Sequence, residues 1–146
     1  MKKLLALLAV FVFAFALSAC ADGESYEDGR YRGVYDDQGE NQVTIQFDLE
    51  DNIIVNIRFR SLDYRGVDYL DDEANETIQA IKDQHQEAID YLIGKDIREA
   101  LVDLYDPEAI GNSDVSDALT GATIRSNKIV SAIRDALNRG VYSYLD

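Results

Sequence analysis

Hydroxyl side chains, a glycine and a cation lie close together in one short segment, residues 120–126. Gly121 allows a ligand to approach the backbone closely, and the free amides at a helix start favour an anion. Arg125 adds a cation, and Thr120, Thr123 and Ser126 add hydroxyl groups. Two interpretations stay open from these residues alone: a phosphate site, or an ordinary helix start in which Ser126 is the N-cap.

A helix is predicted to position this segment. It begins at about Ser126 and ends at Gly140, and its apolar residues share one face: Ile129, Val130, Ile133 and Leu137. Two further helices are predicted upstream. One begins with the acidic residues 71–76, carries an apolar stripe that includes His85, and ends at Gly94. A shorter one lies around residues 97–104.

Apolar and polar residues alternate with period two in three stretches before these helices, residues 29–35, 43–49 and 53–60. Turn-like residues 36–41 and 50–52 separate the stretches. This pattern predicts an antiparallel meander with one buried face. After Ser61 the pattern predicts a tyrosine-rich loop over residues 62–69. Strands followed by about three helices indicate an α+β fold in a single small domain.

The first nineteen residues have the composition of a signal peptide, since Lys2 and Lys3 precede an uncharged, apolar run. The run ends at Ser18-Ala19-Cys20 and resembles a bacterial lipobox, in which the cysteine is lipidated and becomes the N-terminus. The alternative is an ordinary secreted protein that keeps one cysteine. We therefore expect a signal peptide at residues 1–19, a lipidated Cys20 with a tether to residue 28, and a domain over residues 29–146. The protein is expected on the extracytoplasmic face of the cell membrane.

The charge balance excludes several classes of function. The chain carries 14 Lys and Arg residues against 28 Asp and Glu residues, a formal charge of −14. Loss of residues 1–19 would remove two lysines and no acid and change this to −16. Such a surface repels nucleic acid and anionic lipid headgroups, which excludes a DNA- or RNA-binding role. One histidine and one cysteine supply no ligand set for zinc or haem.

The segment Asp117-x-x-Thr120-Gly121-Ala122-Thr123 resembles the flavinylation motif of the FMN-binding domain family. That domain also occurs in the C subunit of the sodium-pumping NADH:quinone oxidoreductase and the G subunit of the Rnf complex. The resemblance covers about residues 28–140 and includes the opening Asp28-Gly29-Arg30-Tyr31-Arg32-Gly33. This chain has Arg125 where many members carry a hydroxyl residue.

The resemblance implies a defined chemistry. A magnesium-dependent flavin transferase uses FAD as donor and joins FMN through a phosphodiester to a threonine, which here is Thr123. Thr120, Gly121 and Ala122 would shape the turn around the phosphate, and Asp117 would belong to what the transferase recognises. The implied function is an electron carrier between a membrane-bound donor and an unknown acceptor. Two rivals remain: a non-redox surface-binding lipoprotein, and a noncovalent FMN-binding part of a membrane reductase.

Aromatic residues outside the motif are further candidates for contact with a flavin. Tyr64 and Tyr69 lie in the predicted loop beside Arg65, where they could flank a flavin ring or pack on their own domain. His85 lies on the apolar stripe of its helix, which favours a core or ring-adjacent histidine over a catalytic base.

Overall fold

In the part of the chain that the structure describes, four antiparallel strands precede three helices. The computed structural model describes residues 25–71, 73, 75–105 and 126–145, with the backbone alone at 41, 104, 105 and 126. The strands pair in chain order, and the α+β prediction of a meander with three helices is confirmed. The elements are β1 Gly29–Asp37, β2 Glu40–Glu50, β3 Ile53–Tyr64, β4 Val67–Asp68, α1 Glu76–Asp90, α2 Ile97–Tyr105 and α3 Ser126–Arg139.

Each hairpin of the sheet turns on two residues with positive φ. The pairs are Gln38-Gly39 (φ 56° and 86°), Asp51-Asn52 (φ 51° and 65°) and Arg65-Gly66 (φ 52° and 77°). Two consecutive positive φ angles define a type I′ turn, whose twist matches that of the flanking strands. The turns are therefore tighter than the loops predicted from composition.

The predicted loop over residues 62–69 is wrong in its first part. β3 continues to Tyr64 because the pairing with β2 resumes after an irregularity beside Phe59, where Leu62 lies opposite Val43 and is completely buried. The chain then turns at Arg65-Gly66, and β4 pairs back so that Tyr64 lies opposite Val67. A fourth, two-residue strand thus replaces the middle of the expected loop.

The helices cover one face of the sheet. Inward side chains of β1, β2 and β3 form one core with apolar residues of all three helices, including Phe47, Phe59, Ile89, Ala100 and Ile133. α1 begins at Glu76, later than the acidic run predicts, because the Asn75 side chain accepts the backbone N–H groups of Thr77 and Ile78 at 3.1 Å each. Within the described ranges, no helix is long and apolar enough to cross a membrane.

The chain after α3 returns to the edge of the sheet. α3 ends where predicted, at Gly140, whose φ of 81° places it in the left-handed region that glycine tolerates best. The backbone N–H of Tyr142 then donates to the carbonyl oxygen of Arg30 at 2.7 Å, and that of Arg30 donates to Ser143 at 2.7 Å. α3 and its continuation therefore run antiparallel to β1.

Candidate functional site

Most residues of the predicted phosphate segment lie outside the described part of the chain. Ser126 is described only by its backbone, and it begins α3 as predicted. The predicted site residues outside the described ranges are Asp117, Thr120, Gly121, Ala122, Thr123 and Arg125. The structure therefore gives the position of the helix that follows the segment and of the side chains around the first turn of that helix.

α3 is fixed against β1 by an unusually close approach. A Cβ atom at Gly33 would lie 2.0 Å from the carbonyl oxygen of Ala132 and 2.4 Å from the nitrogen of Ala136, so only glycine fits there. Beside it, a carboxylate oxygen of Asp135 accepts the backbone N–H of Val34 at 2.8 Å. These contacts hold the helix, and with it the start of the helix, at one position on the sheet.

The first turn of α3 differs electrostatically from those of the other described helices. Glu76 lies in the first turn of α1 and Glu99 in that of α2, where an acid is favourable near the positive end of the helix dipole. The first turn of α3 contains no acid and carries Lys128. A cation at this end is unfavourable unless an anion lies nearby, so the arrangement suits a bound phosphate.

Lys128 lies among aromatic and amide groups contributed by the sheet. Its Nζ atom donates a short hydrogen bond to Oε1 of Gln42, a side chain only 4% exposed. The same Nζ atom lies 5.4 Å from the ring centroids of both Tyr35 and Tyr64. We call these four residues the lysine–tyrosine cluster. It combines a cation with two aromatic rings one turn into the helix after the predicted motif.

A cleft of about 520 Å³ adjoins this cluster. Its volume lies within the range of small-molecule sites, about 300–1,000 Å³. The guanidinium carbon of Arg65 lies 5.1 Å from the ring centroid of Tyr64 at its border. The cleft is lined by Asp37, Gln38, Glu40, Gln42, Tyr64 and Arg65.

One acidic residue close to the cleft has a shifted pKa. Asp63, next to Tyr64 on β3, has its pKa raised, first by burial and then by the negative charges of Asp68 and Glu40. The local field therefore disfavours additional negative charge on that side. An anion would be favoured on the Lys128 side instead.

The two tyrosines proposed from sequence lie in different environments. Tyr64 belongs to the lysine–tyrosine cluster, whereas Tyr69 is 6% exposed and stacks on His85 with 6.4 Å between ring centroids. His85 is completely buried, edge-on to Phe59, and its Nδ1 atom lies 2.7 Å from the carbonyl oxygen of Ile81. The preference for His85 as a core residue agrees with this placement, and contact of either tyrosine with a flavin stays a prediction.

Sequence reasoning missed three members of the lysine–tyrosine cluster: Tyr35, Gln42 and Lys128. Tyr35 was assigned only to an alternating strand, and residue 42 lies between two predicted elements. A signal was available for Lys128, since a lysine in a first helical turn without an acid is unfavourable by itself. Its partners could not be found this way because Gln42 lies 86 residues earlier.

Comparison with known proteins identifies a family relationship. A family model described as "FMN-binding domain" matches residues 38–138, more than half of the chain. The match contains the whole predicted motif and nearly all of α3. Neither the comparison with curated proteins nor that with solved structures gave a match.

Proposed function

We propose that this chain, which belongs to the FMN-binding domain family, is an extracytoplasmic electron-transfer protein whose FMN is esterified through its phosphate to Thr123. The family identifies FMN as the cofactor and the chain as a flavoprotein. Electron transfer, the covalent link and the location outside the cytoplasm are the parts that we propose.

One observation carries the proposal: the family match spans a segment that ends in Thr123, and α3 begins at Ser126 immediately after it. The first turn of that helix offers Lys128 and no acid. A phosphate on Thr123 would lie near the positive end of the helix dipole, where an anion is favoured. A domain with twice as many acids as bases needs such a local site, because its overall charge repels phosphate.

The cofactor and the chain divide the chemistry between them. FMN supplies one- or two-electron transfer, while the protein supplies position and electrostatics. Lys128 contributes positive charge, Gln42 holds its ammonium group, and the Tyr35 and Tyr64 rings offer apolar surface to a flat ring system. Gly33 lets α3 approach the sheet closely enough to keep these groups together.

The partners and location follow from the same proposal. A flavin transferase with FAD as donor would load Thr123, and a membrane-bound donor would reduce the bound FMN for an acceptor not yet identified. A lipid on Cys20 would hold the domain on the extracytoplasmic face of the cell membrane. A covalent bond suits that location, because a dissociating cofactor would be lost by dilution outside the cell.

The covalent link is tested by intact mass. The chain produced together with a flavin transferase and magnesium should gain the mass of FMN less one water, and its gel band should fluoresce after boiling in detergent. Thr123→Val removes the acceptor oxygen with little change of shape, so this variant should gain nothing. Thr120→Val tests the alternative acceptor three residues earlier, and covalent flavin on this variant would exclude Thr120 as the point of attachment.

Each alternative has its own outcome. Flavin still bound to Thr123→Val after denaturation would mean that the acceptor is another residue. Yellow protein that releases all flavin on denaturation would indicate a noncovalent reductase component, and colourless protein a binding lipoprotein. Cys20→Ser tests the anchor separately, because the variant should leave the membrane fraction; retention after a carbonate wash would contradict lipidation at Cys20.

A further inference from the structure

The sheet face opposite the helices carries a group of arginines in this acidic protein. Arg30 and Arg32 alternate with the inward residues of β1, and Arg58 and Arg60 flank the inward Phe59 on β3. The register places Gln46 between Arg32 and Arg58, and Asp48 opposite Arg30. We call these four arginines the arginine face.

Among the residues that the structure describes, Arg30 is the one arginine of this face that is hydrogen-bonded to a carboxylate. Asp48 accepts two hydrogen bonds from Arg30, at 2.7 and 3.0 Å, and its negative charge also interacts with Arg58. Arg32 donates instead to the neutral side chain of Gln46 at 2.8 Å. Arg58 and Arg60 are exposed and form no ion pair with any residue that the structure describes. The four arginines and Asp48 together carry a formal charge of +3.

Apolar and aromatic groups border the arginines. The Tyr142 ring is 60% exposed, and its centroid lies 4.3 Å from the guanidinium carbon of Arg32. On β3, Val55 is 41% exposed beside Asn56, at the irregularity in the pairing with β2. Arginines beside exposed tyrosine and valine match the chemistry of the membrane interface, where aromatic rings lie at headgroup level and cations contact phosphate.

The path of the N-terminal segment brings this face close to a lipid anchor. The backbone N–H of Tyr26 donates to Asn52 at 2.8 Å, and Asp28 accepts the N–H of Asp51 at 2.7 Å. The chain is thus joined to the domain from Tyr26 onward, at the start of β1 and beside Arg30. The six residue steps from Cys20 to Tyr26 span at most about 22 Å.

We propose that the arginine face docks on anionic phospholipid headgroups and orients the lipid-anchored domain on the membrane. The inference rests on the anchor of the proposed function, which supplies a short tether at this edge. The net negative charge does not prevent docking at physiological salt, where the Debye length is about 8 Å. Acids on the far side of the helical layer lie more than a helix diameter away, about 10–12 Å, and are largely screened.

The test places a fluorophore on each side of the lipidated protein in lipid nanodiscs. Val55→Cys labels the arginine face, and Val102→Cys, exposed by 66% on α2, labels the helical side. Quenching by neutral acrylamide measures exposure. At residue 55 the quenching constant should fall at least about twofold when phosphatidylglycerol replaces half of the phosphatidylcholine. At residue 102 it should not change.

Charge variants test whether the arginine face causes the protection at residue 55. An arginine near an anionic bilayer contributes about 1 kcal/mol, or about fivefold in affinity. Arg58→Gln with Arg60→Gln should therefore restore acrylamide access at residue 55, as should 1 M salt. Lys82→Gln with Arg134→Gln removes the same charge from the helices and should leave the protection intact. Equal access in both lipids, or equal protection at both labels, overturns the proposal.

The experiment distinguishes a protein that lacks a lipid on Cys20 from one whose arginine face does not dock. A protein without lipid on Cys20 shows no acyl mass and does not enter pure phosphatidylcholine nanodiscs. The same protein would then be sedimented with phosphatidylglycerol vesicles, and Arg58→Gln with Arg60→Gln should weaken that binding by about 25-fold. Binding that is unaffected by these two substitutions, or absent altogether, overturns the inference.

Discussion

Replacement of Gly33 by alanine is the most direct test of how α3 is positioned. The new Cβ atom would lie 2.0 Å from the Ala132 carbonyl oxygen and 2.4 Å from the Ala136 nitrogen, whereas such contacts are essentially never shorter than 3.0 Å. Both neighbours are backbone atoms, so no rotamer change relieves the clash. α3 would have to withdraw from β1 by about 1 Å, the difference between the 2.0 Å contact and the 3.0 Å limit.

The energetic cost follows from the packing that this withdrawal loosens. Ile129, Ala132, Ile133 and Ala136 are at most 1% exposed. A gap of 0.5–1 Å forfeits about a quarter to a half of the attraction between packed atoms. Overpacking typically costs about 1–3 kcal/mol, and a backbone clash belongs at the upper end, about 3 kcal/mol. That is a large part of the roughly 5–15 kcal/mol that stabilises a domain.

Urea unfolding measures this loss. With a slope of about 2 kcal/mol per molar, the midpoint of Gly33→Ala should fall by about 1.5 M. Val34→Ala, on the next residue of the same strand and half-buried, should cost about 1 kcal/mol or less. A loss below about 1 kcal/mol for Gly33→Ala would refute the reasoning, since the helix would then not approach the strand as closely as described.

Further predictions concern charge. Lys128→Met keeps the apolar part of the side chain and removes its charge. A charge at a helix end contributes about 0.3–1 kcal/mol, so the midpoint potential of the flavin should become more negative by about 6–20 mV. An equal shift in Arg134→Met would contradict a local role of Lys128. The Arg30 hydrogen bonds hold the pKa of Asp48 below its usual value, so its stabilisation is present above the unfolded-state pKa and is lost as pH falls through the folded-state pKa. Asp48→Asn should therefore lower the free energy of unfolding at pH 7 and flatten its decline in acid. Burial and nearby acids raise the pKa of Asp63, so its ionisation destabilises the fold at pH 7. This penalty shrinks as pH falls below the raised folded-state pKa and is gone below the unfolded-state pKa. Asp63→Asn should therefore stabilise the protein at pH 7 and have little effect in acid, as urea titrations across pH would show.

The helices and strands were predicted well because hydrophobic periodicity and helix-ending residues depend on sequence close to each element. The alternation around Phe47 and Phe59 marked strands with one buried face, and Gly140 marked the end of α3. The last four residues of β3, 61–64, were missed because Asp63 and Tyr64 resemble the tyrosine-rich loop that follows. The complete burial of Leu62, which extends the strand, depends on the core formed with distant helices.

The surroundings of the candidate site depended on long-range contacts and were largely unpredictable. The hydrogen bond between Asp135 and Val34 joins residues 101 positions apart, and that between Lys128 and Gln42 joins residues 86 apart. Both exist because Gly33 lets α3 cross β1 closely. The sequence shows a glycine at position 33 but does not show which helix packs against it. The charge of Lys128 was visible, but its aromatic neighbours follow only from that crossing.

The antiparallel course of α3 and β1 links the two proposals geometrically. Lys128 lies beside Tyr35 near the end of β1, while Tyr142, beyond the far end of α3, bonds to Arg30 near its beginning. The 14 residues of α3 separate these ends by about 21 Å. If the tether edge alone faced the membrane, the proposed flavin end would lie about that far above the lipid. If the arginine face lies flat on the headgroups, the two ends of α3 lie at a similar height above the lipid. The proposed flavin end then faces parallel to the membrane, toward other proteins in its plane. The orientation of the sheet would therefore decide whether a membrane-bound electron donor reaches the cofactor directly.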